Sequence, residues 1–301
     1  MNLCINLLLF SSSIFSQESS SGASLSLRIG LACGCVRAGY VAGSLASGFL
    51  ISHASYNYVF LFGQCCLCLA FLVTLIAYPE PEKSIAYDDN EGCMNGFLSI
   101  FDWQHIVGTW RTLTASRPGF RRAYMLLALL SFTVLYSTDM GISIVCLFLK
   151  NSPFRWSDAG FSYWRACCQA SAASGMIVLS VVGEKWLGLT DHVLLLWGLL
   201  VTSGKLLLLA FAQDNASMFA VCAIAALSSI AYPSFISFIS RQTEKEEAGR
   251  IFCVILATEY ISPILSVLLY NNLYAFTVEF YPGFAFGVGS ILLFMAFCTM
   301  T

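Results

Sequence analysis

Apolar residues run along this chain in blocks too long for strands and too unbroken for the striped helices of a soluble domain. A helix that crosses a hydrocarbon core needs about 20 mostly apolar residues. Eight windows qualify: 29–52, 57–78, 122–149, 158–182, 192–213, 216–240, 251–274 and 280–299. Their ends are marked by proline, charge or amide clusters, as at Pro79-Glu80-Pro81-Glu82, Gln213-Asp214-Asn215 and Arg241-Gln242-Thr243-Glu244-Lys245. A ninth run, Met1 to Phe15, is marginal in length and lacks the positive charge that opens a secretory leader. Residues 1–16 therefore read as a partial transmembrane helix, with a signal-like segment as the alternative. Two full spans precede the polar 79–121 segment and six follow it.

Composition carries the same message. Only 11% of the 301 residues are charged, against 58% apolar and a mean hydropathy of +0.76. A soluble domain carries roughly 25% charge, so the pattern predicts an all-α polytopic membrane protein and excludes a soluble enzyme or a disordered tail. The net charge of −2 offers no basic footprint for nucleic acid. Of thirteen cysteines, most lie in apolar runs, where thiols behave as small hydrophobes. No CxxC pair recurs at zinc spacing, so neither a metal nor a cofactor is expected.

Loop charge predicts orientation. Lys and Arg accumulate in short cytoplasmic loops. Alternate loops hold Arg28, then Lys83, Arg111, Arg117, Arg121 and Arg122, then Lys185, then Arg241, Lys245 and Arg250; the other set holds only Lys150 and Arg155. This places the 79–121 loop and the C-terminus in the cytoplasm. Within that loop Phe97, Phe101, Trp103, Ile106, Val107, Trp110 and Leu113 recur near helical spacing, the pattern of an amphipathic helix lying on the inner membrane face.

Five ionisable residues fall inside the spans: Arg37, Asp139, Arg165, Lys205 and Glu259. Each costs roughly 2.5–3.5 kcal/mol at the bilayer centre if it faces lipid, so most are expected to face a wet cavity or one another. Asp139 and Glu259 are candidates for proton coupling, because a carboxyl taking a proton on one side and releasing it on the other is the simplest coupler. Lys205, Arg165 and Arg37 are candidates for binding an anionic solute. His53, His105 and His192 lie at helix ends or in loops, which argues against a central histidine relay. Pro233 and Pro263 fall mid-span, where the missing N–H kinks a helix, and Tyr232 and Tyr260 beside them are candidate solute contacts. Gly39, Gly43 and Gly48 offer a small-residue face for close helix packing.

Several stretches then form a series: Phe154-Arg-Trp-Ser-Asp-Ala-Gly-Phe-Ser-Tyr163, Lys185-Trp-Leu-Gly-Leu-Thr-Asp191, Glu247-Ala-Gly-Arg-Ile-Phe252, Glu259-Tyr-Ile-Ser-Pro263, Leu269-Tyr-Asn-Asn-Leu-Tyr274 and Phe280-Tyr-Pro-Gly283. From about residue 28 to 299 their order resembles the proton-coupled folate transporter family, solute carrier family 46 of the major facilitator superfamily. The resemblance implies a major facilitator-type bundle of twelve helices whose N-terminal half is incomplete here. Residues 17–78 would be the remnant of the N-terminal bundle with two full helices, 79–121 the central cytoplasmic loop, and 122–301 the C-terminal six-helix bundle. It also implies that Glu259 and Asp139 match the family's acidic positions in helices eleven and seven. Cys33 stands where the family has Glu and Ile236 where it has Arg, which points to a solute other than folate.

The expected function is a secondary active transporter, a proton-coupled symporter of small organic anions or metabolites working by alternating access. The alternative is a truncated, non-transporting membrane protein, an interaction partner that retains the C-terminal bundle. No HExxH, GxSxG or paired intramembrane aspartates support an intramembrane enzyme. Expected partners are a small solute, protons and the lipid bilayer, in a plasma, lysosomal or endosomal membrane.

Overall fold

The computed structural model describes residues 23–54, 56–77, 107–108, 121–139, 142–151, 153–243 and 247–301. The Met1–Phe15 run lies outside the described residues, as does the expected amphipathic helix of the 79–121 loop apart from Val107 and Gly108, which lies beside the Arg250 guanidinium.

The described elements are helical: α1 (Ala23–His53), α2 (Tyr56–Ala77), α3 (Arg121–Asp139), α4 (Ile142–Lys150), α5 (Asp158–Val181), α6 (Asp191–Ala210), α7 (Asn215–Ser228), α8 (Ala231–Gln242), α9 (Ala248–Ser266), α10 (Asn272–Thr277) and α11 (Phe284–Met300). π-helical turns, Val182–Trp186 and Val267–Asn271, follow α5 and join α9 to α10. Among the described residues, 56–73, 191–210, 215–242 and 248–277 are long and apolar enough to cross a membrane. Capping follows local chemistry. The Ser157 side chain accepts from the Gly160 N–H at 3.2 Å to open α5, and Asp214 accepts from the Ser217 N–H at 3.1 Å to open α7.

The described part of the 122–149 window comprises α3, which runs through Asp139, and α4, which starts at Ile142. The 216–240 window divides at Ser229–Ile230. Pro233 lies four residues after Ser229, so its ring displaces the Ser229 carbonyl and supplies no N–H to it. Pro263, by contrast, lies inside α9 without ending it.

α6 sits at the centre of its bundle, packed by α7, α8 and α11, while α5 is held between α1 and α7. The core is filled by Phe132, Leu149, Met176, Leu195, Leu199, Met218, Phe235, Ile239 and Leu293, all essentially inaccessible. Three glycines let helices approach to backbone contact. A Cβ on Gly175 would stand 2.0 Å from the Ala226 carbonyl oxygen, one on Gly198 2.5 Å from the Ala231 Cβ, and one on Gly283 2.0 Å from the Ala210 carbonyl oxygen. The small-residue face of α1 is less used. Gly48 meets Ser162 and Tyr163 of α5, whereas Gly39 and Gly43 have nothing within 4 Å. α2 touches mainly α1 and exposes Phe60, Leu61, Leu69, Phe71 and Leu75.

A methyl group at Gly175 therefore meets a carbonyl that cannot step aside. Gly175→Ala is expected to destabilise the protein by about 1–3 kcal/mol, while Gly43→Ala is neutral or slightly stabilising. Thermal unfolding in detergent micelles followed by tryptophan fluorescence measures both; equal midpoints for the two variants would refute the α5–α7 contact.

Candidate functional site

A cavity of about 260 Å³ opens between α1, α3, α4, α5, α6, α7, α8 and α11. Its wall is mainly apolar, with Leu135, Ile144, Val145, Trp164, Met176, Leu206 and Phe286, yet Arg37, Arg165 and Lys205 all line it. The helices bring together three cations that lie 168 positions apart in sequence at their extremes. Arg37 Nη1 donates to Gln169 Oε1 at 2.8 Å, which binds α1 to α5 and aims the guanidinium along the wall. Arg165 is one turn before Gln169 on the same face of α5, and Lys205 enters from α6. No carboxylate is among the described lining residues.

Tyr232 also lines this cavity, and behind it stands Glu259 of α9, only 3% exposed. The Tyr232 hydroxyl donates to Glu259 Oε1 at 2.5 Å. The tyrosine is fixed by Phe132 and Tyr136 of α3, with ring centroids at 5.9 and 6.5 Å, and Phe132 stacks on Phe235 at 4.1 Å with 6° between planes. Pro263 contributes indirectly: the helical partner of the Glu259 carbonyl would be the N–H of residue 263, which proline lacks. The backbone is thus loosened at the turn that carries the acid.

The other expected residues are placed differently. Asp139 closes α3, and its side chain lies outside the described residues, as does His105. Tyr260 is 43% exposed and absent from the cavity wall, because one residue beyond Glu259 is about 100° round the helix. Pro233 is buried and Pro263 partly so, and neither lines the cavity. Of the two positions that depart from the family pattern, Cys33 lies in the wall and Ile236 is buried outside it. His53 ends α1, and His192 opens α6 with Nε2 3.2 Å from the Met300 carbonyl oxygen.

Charged groups at both ends of the bundle were not anticipated as clusters. At one end Asp158 bridges to Lys150 and accepts from the Tyr56 hydroxyl at 2.5 Å, tying α5 to α4 and α2. At the other, the buried Asp191 carboxylate accepts from Arg241 Nε and the Ser237 hydroxyl, each at 2.7 Å. The second was readable in outline, since both residues flank loops on the same predicted side.

Two groups outside the spans, Lys150 and Asp214, hold their charge across the physiological range. The hydrogen bond that Lys150 donates to Asp158 keeps its ammonium above its ordinary value, so its contribution is complete at neutral and acid pH and is lost only as pH rises through the raised value. The Ser217 hydroxyl and backbone N–H hold the exposed Asp214 carboxyl below its ordinary value; its contribution is present at neutral pH and is lost only as pH falls through that lowered value. Neither group titrates between neutral and lysosomal pH.

A family model described as Major Facilitator Superfamily matches residues 7–267. The lysosomal proton-coupled steroid conjugate and bile acid symporter of Homo sapiens is 25% identical over 258 residues, covering 83% of this chain and 53% of the relative. The proton-coupled folate transporter of Bos taurus is 21% identical over 281 residues, 92% of this chain and 58% of the relative. Solute carrier family 46 member 2 of Canis lupus familiaris is 21% identical over 295 residues, with 90% and 58% covered. The chain spans about half the length of the curated relatives it matches.

The Tyr232–Glu259 contact has a stability consequence independent of function. Tyr232→Phe keeps the ring packing but removes a donor from a buried carboxyl, and is expected to cost about 1–3 kcal/mol. An unchanged thermal midpoint in detergent would contradict the pairing.

Proposed function

This chain belongs to the Major Facilitator Superfamily, and on that premise we propose that it is a proton-coupled secondary transporter of small amphipathic organic anions or metabolites. The observation that carries the reading is the juxtaposition of Arg37, Arg165 and Lys205 in a mainly apolar cavity, with Glu259 held behind the wall by Tyr232. An apolar body fills the hydrophobic part while its anionic group meets the cations. The names of the human and bovine relatives, a steroid conjugate and bile acid symporter and a folate transporter, are in keeping with that solute class.

Coupling follows from electrostatics. An ionised Glu259 subtracts from the positive potential that an anion feels in the cavity, and a proton on Glu259 removes the subtraction. At an effective dielectric near 20, a unit charge about 8 Å away is worth roughly 2 kcal/mol, more than tenfold in affinity. Linkage is reciprocal, so a bound anion raises the affinity of the site for the proton by the same factor. Proton and anion then enter together and leave together as the helices move around the cavity. Asp139, whose backbone ends α3, is the second candidate carrier. The membrane is a plasma, lysosomal or endosomal one with the C-terminus in the cytoplasm; the loop count of Lys and Arg supports that orientation, and the lysosomal setting in the human relative's name supports an acidic compartment.

Proteoliposomes holding this chain, an imposed proton gradient and a radiolabelled bile acid test the reading. Acid on the uptake side should accelerate entry. Glu259→Gln, which mimics the protonated acid, should leave binding of the bile acid intact while abolishing acid stimulation. Uptake that still responds fully to pH would remove Glu259 from the coupling step. Lys205→Ala should raise KM for anions roughly tenfold or more, the loss of a charge-assisted hydrogen bond of about 1.5–3 kcal/mol, and spare neutral solutes. Absence of uptake at every pH would favour a membrane protein acting through interaction alone.

A further inference from the structure

The wall of the cavity contains a pair of thiols that transport does not use. Cys168 of α5 lines the cavity, and Cys222 of α7 lies directly behind it, 6% exposed. Their sulfurs are 2.8 Å apart, and both are free thiols. A disulfide needs about 2.05 Å between sulfurs, so the two atoms have roughly 0.8 Å left to close.

The pair is held in place from both sides. One turn earlier on each helix, Trp164 Nε1 donates to the Met218 carbonyl at 2.9 Å, with the same offset of 54 residues that separates Cys168 from Cys222. Two turns later on α5 and one turn later on α7, the helices meet backbone to backbone at Gly175 and Ala226. The helices run parallel and are held together on both sides of the thiol pair, and the Cys222 sulfur is also 3.6 Å from the Met218 carbonyl oxygen. Neither thiol can swing far from the other. The adjacent Cys167, by contrast, is exposed on the outer side of α5.

We propose that Cys168 and Cys222 form a modification site for hydrogen peroxide, which converts them to a disulfide across the cavity wall. Peroxide is close to water in size and reaches Cys168 from the cavity. The Cys168 sulfur attacks one peroxide oxygen, the O–O bond breaks, and water leaves with the thiol proton, giving a sulfenic acid. The Cys222 sulfur then attacks the Cys168 sulfur and the S–O bond breaks. The hydroxyl departs with the Cys222 proton as a second water. Two thiols are oxidised by two electrons and one peroxide is reduced to two waters. Arg165 and Gln169 flank Cys168 on α5, so the new bond pins the segment that presents them to the cavity. On the transporter reading above, solute uptake is then lost until the bond is reduced.

Mass spectrometry of the purified protein tests the site without reference to transport. After peroxide treatment and alkylation of remaining thiols, proteolysis should yield a peptide containing Cys168 joined to one containing Cys222, each short of one hydrogen atom, and dithiothreitol should release them. Recovery of both residues alkylated, or of Cys168 joined to another cysteine, would overturn the proposal. In proteoliposomes, peroxide should abolish uptake by the unmodified chain, reversibly with dithiothreitol, while Cys222→Ala should retain uptake and lose the sensitivity. A crosslink with unaltered uptake would leave the modification site standing and remove its effect on transport. A crosslink in a chain that shows no uptake even untreated would refute the transporter reading alone.

Discussion

Ionised groups taken into an apolar bundle must find water or each other, and the arrangement of this protein follows from that constraint. Arg37, Arg165 and Lys205 each carry a charge that the hydrocarbon core resists, and all three turn toward one hollow instead of toward lipid. Because they are like-charged, they cannot neutralise one another. Three cationic side chains on one cavity wall favour an anion as the complement. Glu259 stands behind that wall, buried and hydrogen-bonded by the Tyr232 hydroxyl.

The interruptions of the helices lie close to this centre. The α7–α8 break falls two residues before Tyr232, and Pro263 frees the carbonyl of Glu259 itself. Irregular helix turns at membrane depth are tolerated where they line a cavity or are buried in protein, and these two flank a hydrogen bond that joins wall to acid. Tight contacts lie at Gly175, Gly198 and Gly283, and the Gly198 contact, with Ala231, sits right beside the α7–α8 break.

Much of this was legible in the sequence, for a definite reason. In apolar blocks of about 20 residues an ionisable side chain is conspicuous, so Arg37, Arg165, Lys205 and Glu259 could be singled out. Their convergence could not be read, because it depends on how the helices rotate against one another. The membrane spans were visible as lengths of apolar chain. The division at Ser229 was not, since one continuous apolar run is compatible with either a single helix or two. Tyr260 was not separable from Tyr232 in sequence terms, each lying within three residues before a proline, and helix phase separates them. Cys168 and Cys222 carried no signal at all, since 54 residues of helix, loop and helix lie between two residues that look like ordinary apolar filler. Glycine stripes were equally uninformative about docking: the conspicuous one on α1 is mostly open, and the tight contacts use isolated glycines.

The sparse attachment of α2 bears on how the protein behaves outside a membrane. This helix leans on α1 and is pinned at one end by the Tyr56 hydroxyl on Asp158, so lateral pressure from surrounding acyl chains supplies most of what keeps it in place. A micelle exerts no such directional squeeze. On extraction α2 should be the first segment to wander, leaving the α5–α11 core intact, and the choice of amphiphile would decide which of two shapes is being measured.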